Sequence, residues 1–307
     1  VVARKPALAL SVTELHPVTL GGSTIASAIG CGWQSPIRTF GELTRKPGFE
    51  RHESDAMRLG TKLQPVIFSE LRDDGYDVCE YADAGYPHGF EIRDAARPWL
   101  VGHPDGFGEN QHDGLVVEAK AQAYTHEDVS AVIQLLTYMH LGGYAGGLLA
   151  TLAGLHVDVR EVERSETQIE LILHLAERFM EYVWADEWPP ATGHNDDRAA
   201  MELAYPATPG KAVRETRAVR DARRELKVMR EQDGKHGARS RRKAYLEGIV
   251  TQHMGDATEL VSLHDETVAR WTPSSTSRFD TKRFRVEHPG LAEQYTTTTP
   301  NRRLSLA

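Results

Sequence analysis

The stretch HPDGFGENQHDGLVVEAK, residues 103–120, decides how this chain is read. An aspartate between proline and glycine (Pro104, Asp105, Gly106) opens it, and a polar run rich in turn formers follows. An apolar strand, Leu115 to Lys120, closes it on Glu118-Ala119-Lys120. Side chains alternate across a strand with period two, so Glu118 and Lys120 share a face. The intervening turn brings that face beside Asp105. The stretch therefore gathers two carboxylates and an ammonium.

Such a grouping suits phosphodiester hydrolysis, which needs an activated water and charge compensation at the phosphorus and the leaving oxygen. Hard divalent cations supply both and prefer oxygen ligands. Asp105 and Glu118 can hold such an ion with the backbone carbonyl of Ala119 as a third ligand, and Lys120 can orient or deprotonate the attacking water. On its own, an aspartate followed by Glu-x-Lys recurs by chance in many soluble chains, and an exposed Glu-x-Lys is usually a solvated face. The order of the surrounding elements carries the reading further.

Working outward, residues 20–30, LGGSTIASAIG, read as a glycine-led helix start that Ser23 or Thr24 can cap. Residues 53–73 keep helical spacing through Met57, Leu59, Leu63, Val66, Ile67 and Leu71, with Pro65 expected to kink the helix or mark a first turn. Short extended pieces are predicted at Tyr76 to Tyr81 and Trp99 to Val101. After the Leu115 to Lys120 strand come a helix over Glu127 to Leu141, an apolar strand over Ala145 to Leu152, and a helix over Thr167 to Trp184. The Pro-, Gly- and Asp-rich run from residue 187 reads as a surface loop.

The chain has 307 residues and a formal net charge of -8, with two cysteines, Cys31 and Cys79. Two are too few for a disulfide framework, a four-cysteine zinc site or an iron–sulfur cluster. No apolar run reaches the roughly 20 residues that span a bilayer, and no signal-peptide pattern opens the sequence, so a cytoplasmic location is expected. Charge is unevenly placed: residues 211–243 hold thirteen basic residues against five acidic ones, on an otherwise acidic body. Within that stretch Val219, Ala222, Leu226 and Met229 form a narrow apolar seam, broken near Gly234 and Gly237 and resumed from Ala238 to Gln252. The expected division is a core over 1–190, a linker over 191–210, a basic helical extension over 211–270 and an irregular tail over 271–307.

Taken in order, a helix, short strands, Pro-Asp-Gly, a strand ending in Glu-x-Lys and a helix bearing Gln134-Leu-Leu-Thr-Tyr138 resemble the PD-(D/E)xK nucleases of the RecB lineage. The chain is most similar to their YqaJ-like viral recombinase family, the branch related to lambda exonuclease. HPDGF resembles the Pro-Asp-Gly motif, LVVEAK the Glu-x-Lys strand, QLLTY the Gln-x-x-x-Tyr helix and LGGSTIASAIG the Gly/Ser-rich opening. RLGTKLQPVI resembles the family's Gly-x-x-x-Glu helix, and the C-terminal DTKRFRVEHPGLAEQYTTTTPNRRLSL is weakly like the ending of long phage members.

The resemblance implies an α/β fold, a central mixed sheet flanked by helices, here with the basic helical extension. It implies Mg²⁺- or Mn²⁺-dependent exonuclease action on one strand of linear duplex DNA, 5′ to 3′, in phage or prophage recombination by single-strand annealing. Asp105 and Glu118 become metal ligands, Lys120 the catalytic lysine, and Gln134 a residue that steadies the site. Ser23 falls where the opening segment approaches a terminal phosphate. A ring-like homo-oligomer and a single-strand annealing partner are also implied, with no membrane association.

Two departures stand out. Gln64 replaces the family's helix glutamate, keeping an oxygen but losing the charge, so it is expected to be a weak metal ligand. Glu70 lies about 240° further round the helix and does not replace it. LHPVTLGG also lacks the arginine common before the opening segment. Arg223, Arg224 and Arg230 are candidates for duplex phosphate contacts, against a subunit or hairpin contact made by the same helix. His103 and His112 are candidates near the metal, against solvated turn histidines. An endonuclease of the same fold is the nearest alternative. A DNA-binding protein with a degenerate core, marked by Gln64, is the alternative from another class.

Overall fold

Val116 and Val117 are consecutive strand residues that point to opposite faces, and neither is exposed. Their strand must therefore be covered on both sides, which explains why it reads as a near-continuous apolar run without alternation. The computed structural model describes residues 18–51, 54–86, 90–108, 114–122, 128–233, 240–274, 277 and 279–296. They fall in two compact units, 1–271 and 272–307.

In the first unit β1 (Leu20–Gly21) leads into α1 (Gly22–Ala28), followed by α2 (Pro36–Leu43) and α3 (Asp55–Asp73). Then come β2 (Val78–Glu80), β3 (Ile92–Arg93), β4 (Leu100–Gly102), β5 (Gly106–Gly108), β6 (Leu115–Gln122), α4 (Val129–Gly142), β7 (Gly146–Ala153), β8 (His156–Glu163) and α5 (Glu166–Ala185). The main sheet runs β2-β5-β6-β7-β8. Only β6 and β7 are parallel in it, and α4 makes the crossover that a parallel pair requires. A small sheet, β1-β4-β3, lies apart from it in hydrogen bonding.

Helix α3 covers one face: Ile67, Phe68 and Leu71 pack with Val78, Val117, Leu148 and Ala150. The other face packs Val116 and Leu149 against α4, α5 and α1 through Leu135, Met139, Ile169, Ala176 and Ile25. The fold is thus mixed α/β, a mixed sheet between helical layers.

Local chemistry corrects two sequence expectations here. Helix α1 begins two residues earlier than a Ser23 cap allows and three earlier than a Thr24 cap: Gly21 is the N-cap, and Thr24 Oγ1 donates back to the Gly21 carbonyl at 2.9 Å. Gly22 has to be glycine, because a Cβ there would lie 2.4 Å from Tyr138 Cε1 of α4. Helix α3 runs unbroken through Pro65, which sits on its exposed side where the carbonyl left without an N–H donor can meet water.

Beyond α5 lie α6 (Asp197–Ala204), β9 (Thr208–Arg214), α7 (Arg217–Asp233), α8 (Arg241–Met254), β10 (Ala257–Val261) and β11 (Thr267–Arg270). The segment expected as a linker therefore contains a packed helix. Asp197 Oδ2 accepts the backbone N–H groups of Thr192, Gly193 and His194 at 2.8, 2.7 and 3.0 Å. Arg38 grips Asp196 with two bonds of 2.7 and 2.9 Å. Ala200 and Met201 are buried with Ile37, Phe49 and Ala191. The aspartates that gave this run its loop-like composition are its anchors.

The apolar seam of α7 (Val219, Ala222, Leu226) packs on Leu246, Val250 and Met254 of α8 and on Leu260 of β10. The basic extension is helical but also carries a three-stranded sheet, β11-β10-β9. Gly234 and Gly237, expected to break the helix, and Ala238, expected to resume it, lie outside the described residues. In the second unit the tail expected to be irregular forms α9 (Thr281–Glu287), capped by Asp280, and α10 (Pro289–Gln294), which starts on proline. Among the described residues no helix is long and apolar enough to cross a membrane.

Candidate functional site

Antiparallel pairing of β5 with β6 sets Gly106 against Val117 and Phe107 against Val116. Extending that register by one residue places Asp105 opposite Glu118. The Ala119 N–H donates to Asp105 Oδ2 at 2.9 Å, fixing the carboxylate across the strand pair. Gly106 permits the approach of β2 on the other side: a Cβ there would sit 2.4 Å from the Cys79 carbonyl oxygen and 2.6 Å from the Phe68 ring.

Glu118 is 3% exposed. Its Oε1 accepts from Lys120 Nζ at 2.6 Å, while among the described residues its buried Oε2 has no hydrogen-bond partner. Lys120 Nζ also donates to Gln134 Oε1 at 3.0 Å. Gln134 Nε2 donates to the Tyr138 hydroxyl at 2.8 Å, which donates to the His103 carbonyl at 3.1 Å. Gln134 and Tyr138 are four residues apart on α4, hence on one side of the helix. Tyr138 is thus more than packing: it closes a chain of bonds from the lysine to the segment that carries Asp105.

Burial and the neighbouring Glu118 push the Asp105 carboxyl well above the usual carboxylate range. Burial likewise raises the Glu118 carboxyl, with Lys120 opposing it. For Lys120 burial acts to lower the ammonium, but Glu118 and then Asp105 outweigh it and the group is raised. Lys120 therefore rests as a cation between two carboxylates. Asp128, which caps α4 through the Ser130 and Ala131 N–H groups at 3.1 Å each, adds a further negative charge near Lys120.

These groups open on a cleft of about 690 Å³, lined also by Ser23, Trp33, Met57, Thr61, Gln64 and His103. Asp105, Glu118, Ala119, Lys120, Gln134, Gln64 and Ser23 therefore come together. His103 stands at the rim with its ring 3.3 Å from Glu91; His112 lies outside the described residues. Arg223, Arg224 and Arg230 do not line the cleft. Arg223 is held at 3.1 Å by the buried Glu215 and Arg230 at 2.6 Å by Glu247, while Arg224 is exposed. A second groove of about 590 Å³ lies over α7, α8 and β11, with Arg223, Lys227, Arg230, Glu231 and Glu247 among its lining.

The donor set suits a hard cation. Among the described residues no three His, Cys, Asp or Glu side chains gather to hold a metal. Two carboxylates and the Ala119 carbonyl would leave the remaining positions to water, the manner in which Mg²⁺ is usually held. The unpartnered Glu118 Oε2 is a buried acceptor that such an ion would satisfy.

Two residues of the site are absent from the sequence reading. Trp33 is 66% exposed at the lip of the cleft, and nothing in its surroundings in the sequence sets it apart from a core tryptophan. Glu80 ends β2 buried beneath the site; its spacing of two from Val78, an apolar strand residue, was the available signal.

No family model and no curated protein matches the chain. Solved structures do. An alkaline exonuclease (LHK-Exo) from Laribacter hongkongensis is similar at 17% identity and a TM-score of 0.45, over 55% of this chain and 89% of that one. A phage related exonuclease from Haemophilus somnus 129PT is similar at 12% identity and a TM-score of 0.41, over 54% of this chain and 93% of that one.

Proposed function

We propose that the chain is a Mg²⁺- or Mn²⁺-dependent deoxyribonuclease of the exonuclease type. It would hydrolyse phosphodiester bonds in one strand of linear duplex DNA, in the 5′ to 3′ direction. The observation that carries this reading is the buried Glu118, with one oxygen on Lys120 and the other unpartnered, set opposite Asp105 at the floor of an open cleft. The motif order around it agrees.

A divalent cation bound there would polarise the phosphate and lower the pKa of an attacking water. Asp105, Glu118 and the Ala119 carbonyl are the groups that would hold it. Lys120, already donating to Glu118 and Gln134, is placed to donate to the water or a phosphoryl oxygen. Its raised pKa favours that orienting role over proton removal. Gln134 and Tyr138 hold the ammonium in place. Ser23 and the exposed face of Trp33 offer a hydroxyl and a stacking surface to a strand end. A role in recombination beside a single-strand annealing protein, and a ring-like homo-oligomer, belong to the same reading through the family resemblance. Arg224 is the arginine of the basic helix best placed to meet phosphate; Arg223 and Arg230 already have acidic partners.

The test is digestion of a linear duplex labelled at either 5′ end, beside the same DNA as a closed circle, with Mg²⁺, Mn²⁺ or chelator. Loss of the linear DNA alone, only with metal and from the 5′ ends, is expected. Cutting of the circle would make the chain an endonuclease. Binding without cutting would make it a DNA-binding protein with a degenerate core.

A further inference from the structure

The loop between α1 and α2, Gly30 to Ser35, reaches the lip of the cleft at Trp33, and residues far along the chain hold it from behind. His194 Nε2 lies 3.2 Å from the Gly32 carbonyl oxygen, and Arg241 Nη2 of α8 donates to the Gly30 carbonyl at 3.3 Å. Asp196 Oδ2 accepts from both the N–H and the hydroxyl of Ser35 at 3.4 Å. The Asp196 N–H donates to His194 Nδ1 at 3.1 Å, so the ring carries its proton on Nε2 and gives it to Gly32. One imidazole thus ties the start of the α6 layer to the lip.

Within its own segment the lip is also fixed. The Cys31 N–H donates to the Ala26 carbonyl at 2.8 Å. A Cβ on Gly32 would lie 2.5 Å from the Ser27 backbone nitrogen, so the chain folds tightly back on α1. Gln34 is buried, and its Nε2 donates to Thr39 Oγ1 and Glu42 Oε2 at 3.1 Å each. Trp33 stands between these two held neighbours with 66% of its surface exposed. Leaving so large an apolar ring in water is unfavourable, and the pinned backbone keeps it from turning inward. Met57 of α3, also exposed, lines the same cleft as Asp105, Glu118 and Lys120. An aromatic plane and a thioether beside a phosphate-cleaving floor suit a nucleobase. The faces of a base inside a duplex are already covered by its neighbours, whereas an unpaired base has a face free to stack.

We infer that His194 is a positioning residue: from behind the lip it fixes the backbone that presents Trp33, and Trp33 receives an unpaired base of the strand to be cut. The cleft thereby prefers a strand end with unpaired nucleotides to a blunt duplex end. This rests on the reading of the cleft as a nuclease site.

The test is binding of a fluorescent, 5′-phosphorylated single-stranded oligonucleotide and of a blunt duplex, read by anisotropy with chelator present, beside cleavage with Mn²⁺. Trp33→Ala should weaken single-strand binding roughly tenfold and duplex binding by less than about twofold. His194→Leu should weaken single-strand binding about three- to fivefold, and His194→Gln, which keeps a donor for Gly32, should stay within about twofold of wild type. Added to Trp33→Ala, His194→Leu should cost nothing further, because it acts through the lip. If His194→Leu does not fold, Arg241→Met takes its place with the same expected dependence on Trp33. Losses that simply add, or single-strand binding that Trp33→Ala leaves unchanged, would overturn the inference while the nuclease reading stands. Single-strand binding that follows the expected pattern in a chain that cuts nothing with Mn²⁺ would support the role of His194 and overturn the nuclease reading instead.

Discussion

Lys120→Ala should abolish metal-dependent cleavage, a loss of at least about a hundredfold, while leaving duplex binding nearly unchanged. The ammonium bonds both Glu118 Oε1 and Gln134 Oε1, so its removal takes away the donor aimed into the cleft and also frees the amide behind it. Glu118, buried and with its other oxygen already unpartnered, would then have no cation against it, and its carboxyl would rise further. Binding should survive because a duplex is held mainly through phosphate contacts spread over a surface. Cleavage of labelled duplex and fluorescence anisotropy of the same duplex check the two halves. Unaltered cleavage would remove Lys120 from the chemistry.

Gly106→Ala should destabilise the fold by about 1–3 kcal/mol or more and disturb the site with it. The added methyl would meet the Cys79 carbonyl oxygen at 2.4 Å as well as the Phe68 ring, and a backbone oxygen in a paired strand cannot step aside as a side-chain tip can. Strand β2 would have to move from β5, taking Glu80 away from the register that sets it beside Asp105. Gly60→Ala is the matched control: it lies within α3, and a Cβ there meets nothing within 4 Å. It should raise stability by about 0.4–1 kcal/mol. Urea denaturation of the two variants beside wild type gives the comparison; equal stabilities would mean that β2 yields freely at this point.

What the sequence made legible follows from burial on both faces and from strong helical spacing. The strand β6 appears as an uninterrupted apolar run because α3 and α4 cover it from opposite sides, and Glu118 and Lys120 share a face because strand parity admits nothing else. Helices α3, α4 and α5 carry long amphipathic patterns, and their bounds fall within a few residues of those expected. The start of α1 was illegible, since it depends on the close approach of Tyr138 to Gly22, a contact between residues more than a hundred positions apart. Helix α6 hid behind aspartates that resemble loop chemistry until their N–H partners are known. The strands β9 and β11 are largely exposed edges with no alternation to read.

A divalent cation held by the buried pair Asp105 and Glu118 is what the proposed chemistry depends on. Electron paramagnetic resonance of Mn²⁺ titrated into the metal-free protein tests it most directly, with Asp105→Asn and Glu118→Gln titrated in parallel. Saturable binding by the wild-type chain and a loss of at least about tenfold in affinity in each variant are expected. No saturable binding by the wild type, or binding that neither substitution alters, would contradict it.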